Sequence, residues 1–346
     1  MLKPSTCYVA SACIALAWAT TSVHAQEVLS DDAVIDGIRG RSDIGLSDQR
    51  RIAAWVDGEI EKFTEFLPFR KRFDQQFNDA KNSEQFRVQL ATQTAQVAAQ
   101  QFVNPDLSGD VAHALAQVLT DMNRRETFPG FIAGLKSSDV RARYFCAKGL
   151  IALQDWIAGD KARLDQTVQA LREAGLGETD PVVLGRIYEA LAFPGQVADV
   201  FDVYLALFDK RLTARRGPAV VADGAENYAY EFFRSRGVLG VLNADQKTRL
   251  VARIAVFLRM DAERYNNPNL KFDEIDRLER ALDGAEDILT ILAGATGGKI
   301  RDELSSGGHG NRAAVVQQAY RWVGNPETKQ PGALNTAPWD VPVGAP

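Results

Sequence analysis

The chain has 346 residues, with 40 basic and 45 acidic side chains and a net charge of −5. That acidic balance argues against nucleic acid as a partner, because phosphate binding wants a basic surface. At 46 % hydrophobic residues the chain can bury a large core, and three cysteines are too few for a disulfide-stapled scaffold.

The first residues read as an address. Lys3 gives a positive start, residues 7–20 are apolar or small, and no Asp, Glu, Lys or Arg follows Lys3 until Glu27. Val23-His24-Ala25 is an exit of the kind signal peptidase cleaves. The apolar run is shorter than the roughly 20 residues of a spanning helix. Residues 1–25 are therefore expected to be a secretory signal peptide, and the mature chain to be exported to a periplasm or the extracellular space. The alternatives are an uncleaved anchor, or a lipobox at Ala10-Ser11-Ala12-Cys13, although much of the apolar run (Ile14 to Ala19) lies after that cysteine. Loss of the segment removes Cys7 and Cys13, leaves Cys146 without an internal disulfide partner, and moves the net charge to −6. No later segment approaches spanning length without charge, so no transmembrane segment is expected after cleavage.

Residues 26–42 hold few apolar side chains and are expected to be flexible. From there the apolar pattern is helical. Ile52, Val56, Ile60, Phe63 and Leu67 form a stripe that Pro68 is expected to end. Phe86, Leu90, Val97 and Phe102 form a second, and Val111, Leu115, Val118 and Met122 a third, started at Ser108-Gly109-Asp110. These fill an N-terminal helical cap region, 43–124.

A repeat follows over 125–237. Asp139, Asp180 and Asp223 each stand before an amphipathic stretch, at separations of 41 and 43 residues. The stretches run through Val140, Tyr144, Ala147 and Ile151, then Val183, Ile187 and Leu191, then Tyr228, Phe232 and Phe233. Another helical stretch precedes each: Phe131 to Leu135, Leu164 to Leu171, and Val200 to Leu212. At Asp180-Pro181 a side-chain acceptor sits at the cap and proline at the first helical position. The C-terminal helical region, 238–323, opens on Asn243 with Gln246 three residues on, as in a capping box. Its clearest stripe is Ile275, Leu278, Leu282, Ala285, Leu289 and Leu292, a narrow seam. Residues 324–346 carry Pro326, Pro331, Pro338, Pro342 and Pro346 and read as a disordered, extended tail. Trp339 in that tail is either a ring that docks back or part of a short recognition peptide.

Helix pairs every forty-odd residues have the period of HEAT and armadillo arrays. Residues 139–150, DVRARYFCAKGL, resemble the second helix of a HEAT repeat. The likeness is looser at Asp180 and poor at Asp223, where Gly224-Ala225-Glu226 replaces the Val-Arg pair. It covers the central third of the chain. It implies an all-α fold, a right-handed α-solenoid with second helices lining a concave face and atypical terminal helices. An irregular helical bundle is the alternative. The likeness implies no activity.

Motifs for chemistry fail on inspection. His113 and His309 lie in different regions without matching cysteines, so neither metal nor cofactor is expected. His113 is expected on the surface of its helix and Cys146 as a buried thiol. Asn104 to Asp110 mimics half a calcium loop, but position twelve is Leu115 where a bidentate Glu is required. Ala293 to Ile300 lacks the first Gly and the Ser/Thr of a phosphate loop. Residues 305–310 read as a mobile loop.

One group invites a binding role: Arg141, Tyr144, Arg186, Tyr188, Tyr228, Tyr230 and Arg234, all on the second helices. Tyr and Arg are enriched at binding hot spots. The structural alternative is that the tyrosines fill the core and the arginines pair with neighbouring acids. The leading expectation is a scaffold that binds a protein or peptide without catalysis. Its rivals are an enzyme on a helical scaffold acting on cell-wall or polysaccharide material, and a structural envelope component.

Overall fold

A computed structural model describes residues 32–215, 223–294, 297–306 and 311–343. The export segment, residues 26–31 and most of the 305–310 loop lie outside the described residues. The fold is all-α: seventeen α-helices and no strand among the described residues. They are α1 (Asp32–Asp36), α2 (Leu46–Glu61), α3 (Phe66–Asn78), α4 (Glu84–Phe102), α5 (Gly109–Met122), α6 (Phe128–Gly134), α7 (Val140–Ala152), α8 (Gln154–Ala158) and α9 (Lys161–Gly177). Then come α10 (Pro181–Ala190), α11 (Val197–Arg215), α12 (Asn227–Phe233), α13 (Arg236–Val241), α14 (Ala244–Tyr265), α15 (Phe272–Ala293), α16 (Ile300–Ser306) and α17 (Arg312–Val323).

Six of the helices begin where a capping side chain accepts from the orphan N–H groups of the first turn. The Asp139 carboxylate accepts from the Arg141 and Ala142 N–H groups, and Asp180 from those of Val182 and Val183. Ser108 caps α5 through the Val111 N–H, and Asn243 and Gln246 close a reciprocal capping box on α14. Each cap stabilises by about 1 kcal/mol. Asp223 differs. Its carboxylate accepts from the Ala225 N–H, but α12 begins only at Asn227 and Glu226 gives it no side-chain cap.

Packing follows two rows. In one, α2 lies on α4 and α4 on α6; beyond α8, α9 lies on α11, α11 on α14 and α14 on α17. In the other, α3 lies on α5, α5 on α7, α7 on α10, α10 on α12 and α12 on α15. Between rows, α4 meets α5, α6 meets α7, α9 meets α10 and α14 meets α15. The interior is rich in aromatic residues: Trp55, Phe73, Phe86, Phe131, Tyr204, Phe208 and Phe233 are all buried. Burying each such ring contributes about 1.5–3 kcal/mol. Close approach is built in at α6 and α7, where a Cβ on Gly134 would sit 2.2 Å from the Cys146 sulfur.

No single helix among the described residues is long and apolar enough to cross a membrane. The bent pair α10 and Pro194–Arg215 passes by length and composition, but Leu184, Ile187, Phe201, Leu205 and Phe208 from it are core side chains.

Three local expectations are corrected. Residues 32–42 are packed, since Ile35 and Ile38 are buried and Arg39 bonds Asp79, Gln76 and Asp36; two apolar residues three apart are enough for one helical turn to dock. The first stripe breaks at Glu61, and Pro68 falls inside the first turn of α3, where its missing N–H has no intrahelical partner to lose. The tail folds back. Leu334 and Val341 are buried, Trp339 packs on the core, and Asn335 Nδ2 donates to Val323 O and Val341 O at 3.2 and 2.6 Å. Its prolines bar helix and sheet but not docking.

At the end of the segment that resembled a phosphate loop, the N–H groups of Lys299, Ile300 and Arg301 are occupied. Glu286 accepts from the Ile300 and Arg301 N–H groups at 2.6 and 2.8 Å, and the side-chain Oε1 of Gln318 from that of Lys299 at 3.0 Å.

Candidate partner-binding face

The second row carries a chain of ring and cation contacts on its solvent side. The Phe66 ring of α3 stacks on His113 of α5 at 4.6 Å, and His113 stacks on Phe145 of α7 at 5.4 Å. Phe145 meets its neighbour Tyr144 edge-on at 5.3 Å. The Arg186 guanidinium of α10 then lies 5.3 Å from the Tyr144 centroid and 5.4 Å from that of Tyr228 on α12. Five successive helices of one row are thus linked, and every member keeps part of its surface in solvent.

Gly185 makes the last step possible, since a Cβ there would meet the Tyr228 ring at 2.7 Å. Arg186 is held by rings and by one ion pair with Glu189; its Nε has no hydrogen-bond partner among the described residues. Cation–π contacts of this kind contribute about 0.5–1 kcal/mol at exposed sites and more as they lose water. His113, expected on the surface, is half-buried in this stack; burial, with the nearby Arg141 charge, lowers its pKa.

The ladder ends at a cleft of about 410 Å³ between the start of α10, α12 and α15. Tyr228, Val182, Arg234, Arg277 and Arg280 line it, with Asp223, Glu231 and Asp283. Gly224 turns the chain at its floor with φ +75°, and the Arg277 stem lies across it; a Cβ would meet Arg277 Cγ at 3.3 Å.

A largely buried charge cluster reaches inward from Asp223 on the cleft wall. Arg211 Nη2 donates to both oxygens of Asp223 at 2.6 and 2.7 Å, and its Nε to Glu226 at 2.5 Å. Arg215 donates to Glu226 and to Asp261, both at 2.6 Å. Burial alone would raise the Glu226 carboxyl, but the Arg215 and Arg211 guanidiniums outweigh it and hold the group below the usual range. Asp261 has only Arg215 against burial and the Glu226 charge, and is pushed up to about 6. The Tyr188 and Tyr230 hydroxyls and Arg215 Nε find no partner among the described residues.

The seven residues singled out in the sequence therefore divide. Tyr144, Arg186 and Tyr228 meet on the face. Arg234 lines the cleft and pairs with Asp287 at 2.5 Å and Glu231 at 2.9 Å. Arg141 pairs with Asp139 and Asp110, both at 2.9 Å, next to the face but outside the ladder. Tyr188 and Tyr230 are buried, with their rings against Tyr204, Phe208 and Phe257 of the first row, so they serve the core; Tyr230 also lies in the wall of the cleft, whereas Tyr188 does not reach it. Burial pushes both phenols well above their usual range. Sequence reasoning missed Phe66, His113, Phe145, Arg277 and Arg280.

Cys146 is buried as expected, and burial pushes its thiol up, away from reactivity. No group of His, Cys, Asp and Glu among the described residues could hold a metal ion. No protein family matches the chain, no curated protein matches it, and no solved structure matches it.

Proposed function

We propose that the chain is an exported HEAT-like α-solenoid that binds a protein or peptide along the solvent side of its second row. The observation that carries this reading is the ladder from Phe66 to Tyr228. Partly exposed aromatic rings and guanidiniums offer contact area and directional bonding at small entropic cost, and here their contacts link five stacked helices. A row of stacked helices also presents a preformed surface, which lowers the ordering cost of binding. The forty-residue spacing of Asp139, Asp180 and Asp223 and the two-row packing support the solenoid. The apolar start with its small-residue exit supports export.

The test is capture from the exported fraction of the native organism with wild-type chain and with Arg186→Ala plus Tyr228→Ala. Both side chains are partly exposed, so the variant should keep its helical circular dichroism. A partner held by wild type and released by the folded variant supports the face. A partner held equally by both refutes it.

A further inference from the structure

The charges around the Tyr228 cleft are unevenly committed. Asp223 is spent on buried Arg211 and on the Ala225 N–H. Asp283 faces Arg234 and Arg301, and Arg234 is further tied to Asp287. Arg277 and Arg280 differ. They line the cleft, but pair with Asp273 and Asp276 one turn back on their own helix, Arg277 Nε also donating to the Asp273 backbone carbonyl at 2.9 Å, and neither acid lines the cleft. Such exposed i,i+4 pairs hold only weakly in water, so an incoming carboxylate displaces them at little cost. The cleft therefore offers two exchangeable guanidinium forks beside an apolar wall, where Val182 is 61 % and Tyr228 38 % exposed.

We propose, resting on the docking-face reading, that this cleft receives a carboxylate side chain of an extended acidic peptide segment of the partner. Arg277 and Arg280 grip the carboxylate, and Val182 and Tyr228 take the adjoining apolar part. Guanidinium forks match carboxylates in a planar, bidentate way. A volume of about 410 Å³ suits one or two side chains rather than a folded domain. From the cleft, ring and cation contacts continue over successive helices of the row, giving a segment longer than one side chain further surface to lie on.

The probe is a ten-residue peptide alternating glutamate and proline, which stays extended, titrated calorimetrically into the full chain. Its counterpart has glutamine for every glutamate. The expected result is at least tenfold tighter binding of the glutamate peptide, weakening as salt rises, and a tenfold loss in Arg277→Ala plus Arg280→Ala with an unchanged melting temperature. Equal binding of both peptides, no binding of either, indifference to the double substitution, or inorganic phosphate binding more tightly than the peptide would each overturn the proposal. Photo-crosslinking from position 228 separates the two readings. If it captures a partner equally in the wild-type and Arg277→Ala/Arg280→Ala backgrounds, the acidic-peptide assignment falls and the docking face stands. If it captures nothing, the face itself falls.

Discussion

The guanidinium of Arg186 lies between the rings of Tyr144 and Tyr228, 5.3 and 5.4 Å from their centroids, and so joins three helices of one row. The three residues stand five, six and five positions after Asp139, Asp180 and Asp223. A near-constant register after each turn places them on one side of the stack. A double-mutant cycle on Arg186→Ala and Tyr228→Leu, read by urea unfolding, should give a coupling of about 0.5–1 kcal/mol. Arg186→Lys should recover less than half of it, since an ammonium does not stack. Strict additivity would mean the contact does no energetic work.

Glu226 is the hub of the charge cluster, accepting from Arg211 and Arg215 with its side chain 1 % exposed. Glu226→Ala leaves two buried guanidiniums short of a partner and should cost about 3–5 kcal/mol. Glu231→Ala, five residues on, removes a side chain that is 70 % exposed and should change stability by less than about 0.5 kcal/mol. Chemical unfolding of both variants checks the contrast; similar losses would contradict the buried hub.

Asp261 gives this cluster a pH signature. Burial raises its folded pKa to about 6, whereas an unfolded aspartate titrates near about 3.9. The folded chain therefore holds this proton more tightly, and stability is lost as pH rises through that window. Compared with Asp261→Asn, the wild type should lose on the order of 2–3 kcal/mol between about pH 4 and pH 6, then run parallel to it. A wild-type minus variant difference that is flat across this range would show that Asp261 does not titrate there.

Gly134 and Cys146 touch across α6 and α7, where a Cβ would stand 2.2 Å from the sulfur and 3.0 Å from the Phe102 ring. Gly134→Ala should destabilise by about 1–3 kcal/mol through overpacking. Adding Cys146→Ala removes the nearest atom, so the double variant should lose less than the sum of the singles. Thermal melts of the three proteins decide it.

Much of the fold could be read from the chain because its signals are local. Asp139, Asp180 and Ser108 cap helices through bonds spanning two or three residues, and the Asn243–Gln246 box closes within one turn. The site was less legible because tyrosine suits both a core and a surface. Tyr188 was in fact marked: it follows Leu184 by four and Ile187 by one, on the buried stripe of α10. Tyr230 likewise falls three before buried Phe233. Nothing local tied Phe66 to His113, since the two rings come from helices 47 residues apart in sequence. Arg277 and Arg280 look like ordinary helix charges until α12 is placed against α15.

The central claim is that the partner lies on the second row's solvent side. It is tested most directly by a photoreactive phenylalanine at position 228, compared with one at Gln166, an exposed position of α9 in the other row. A docking face at the ladder predicts one discrete adduct from position 228, none from 166, and loss of the adduct on Arg186→Ala. Equal adducts from both positions, or an adduct only from 166, would contradict it.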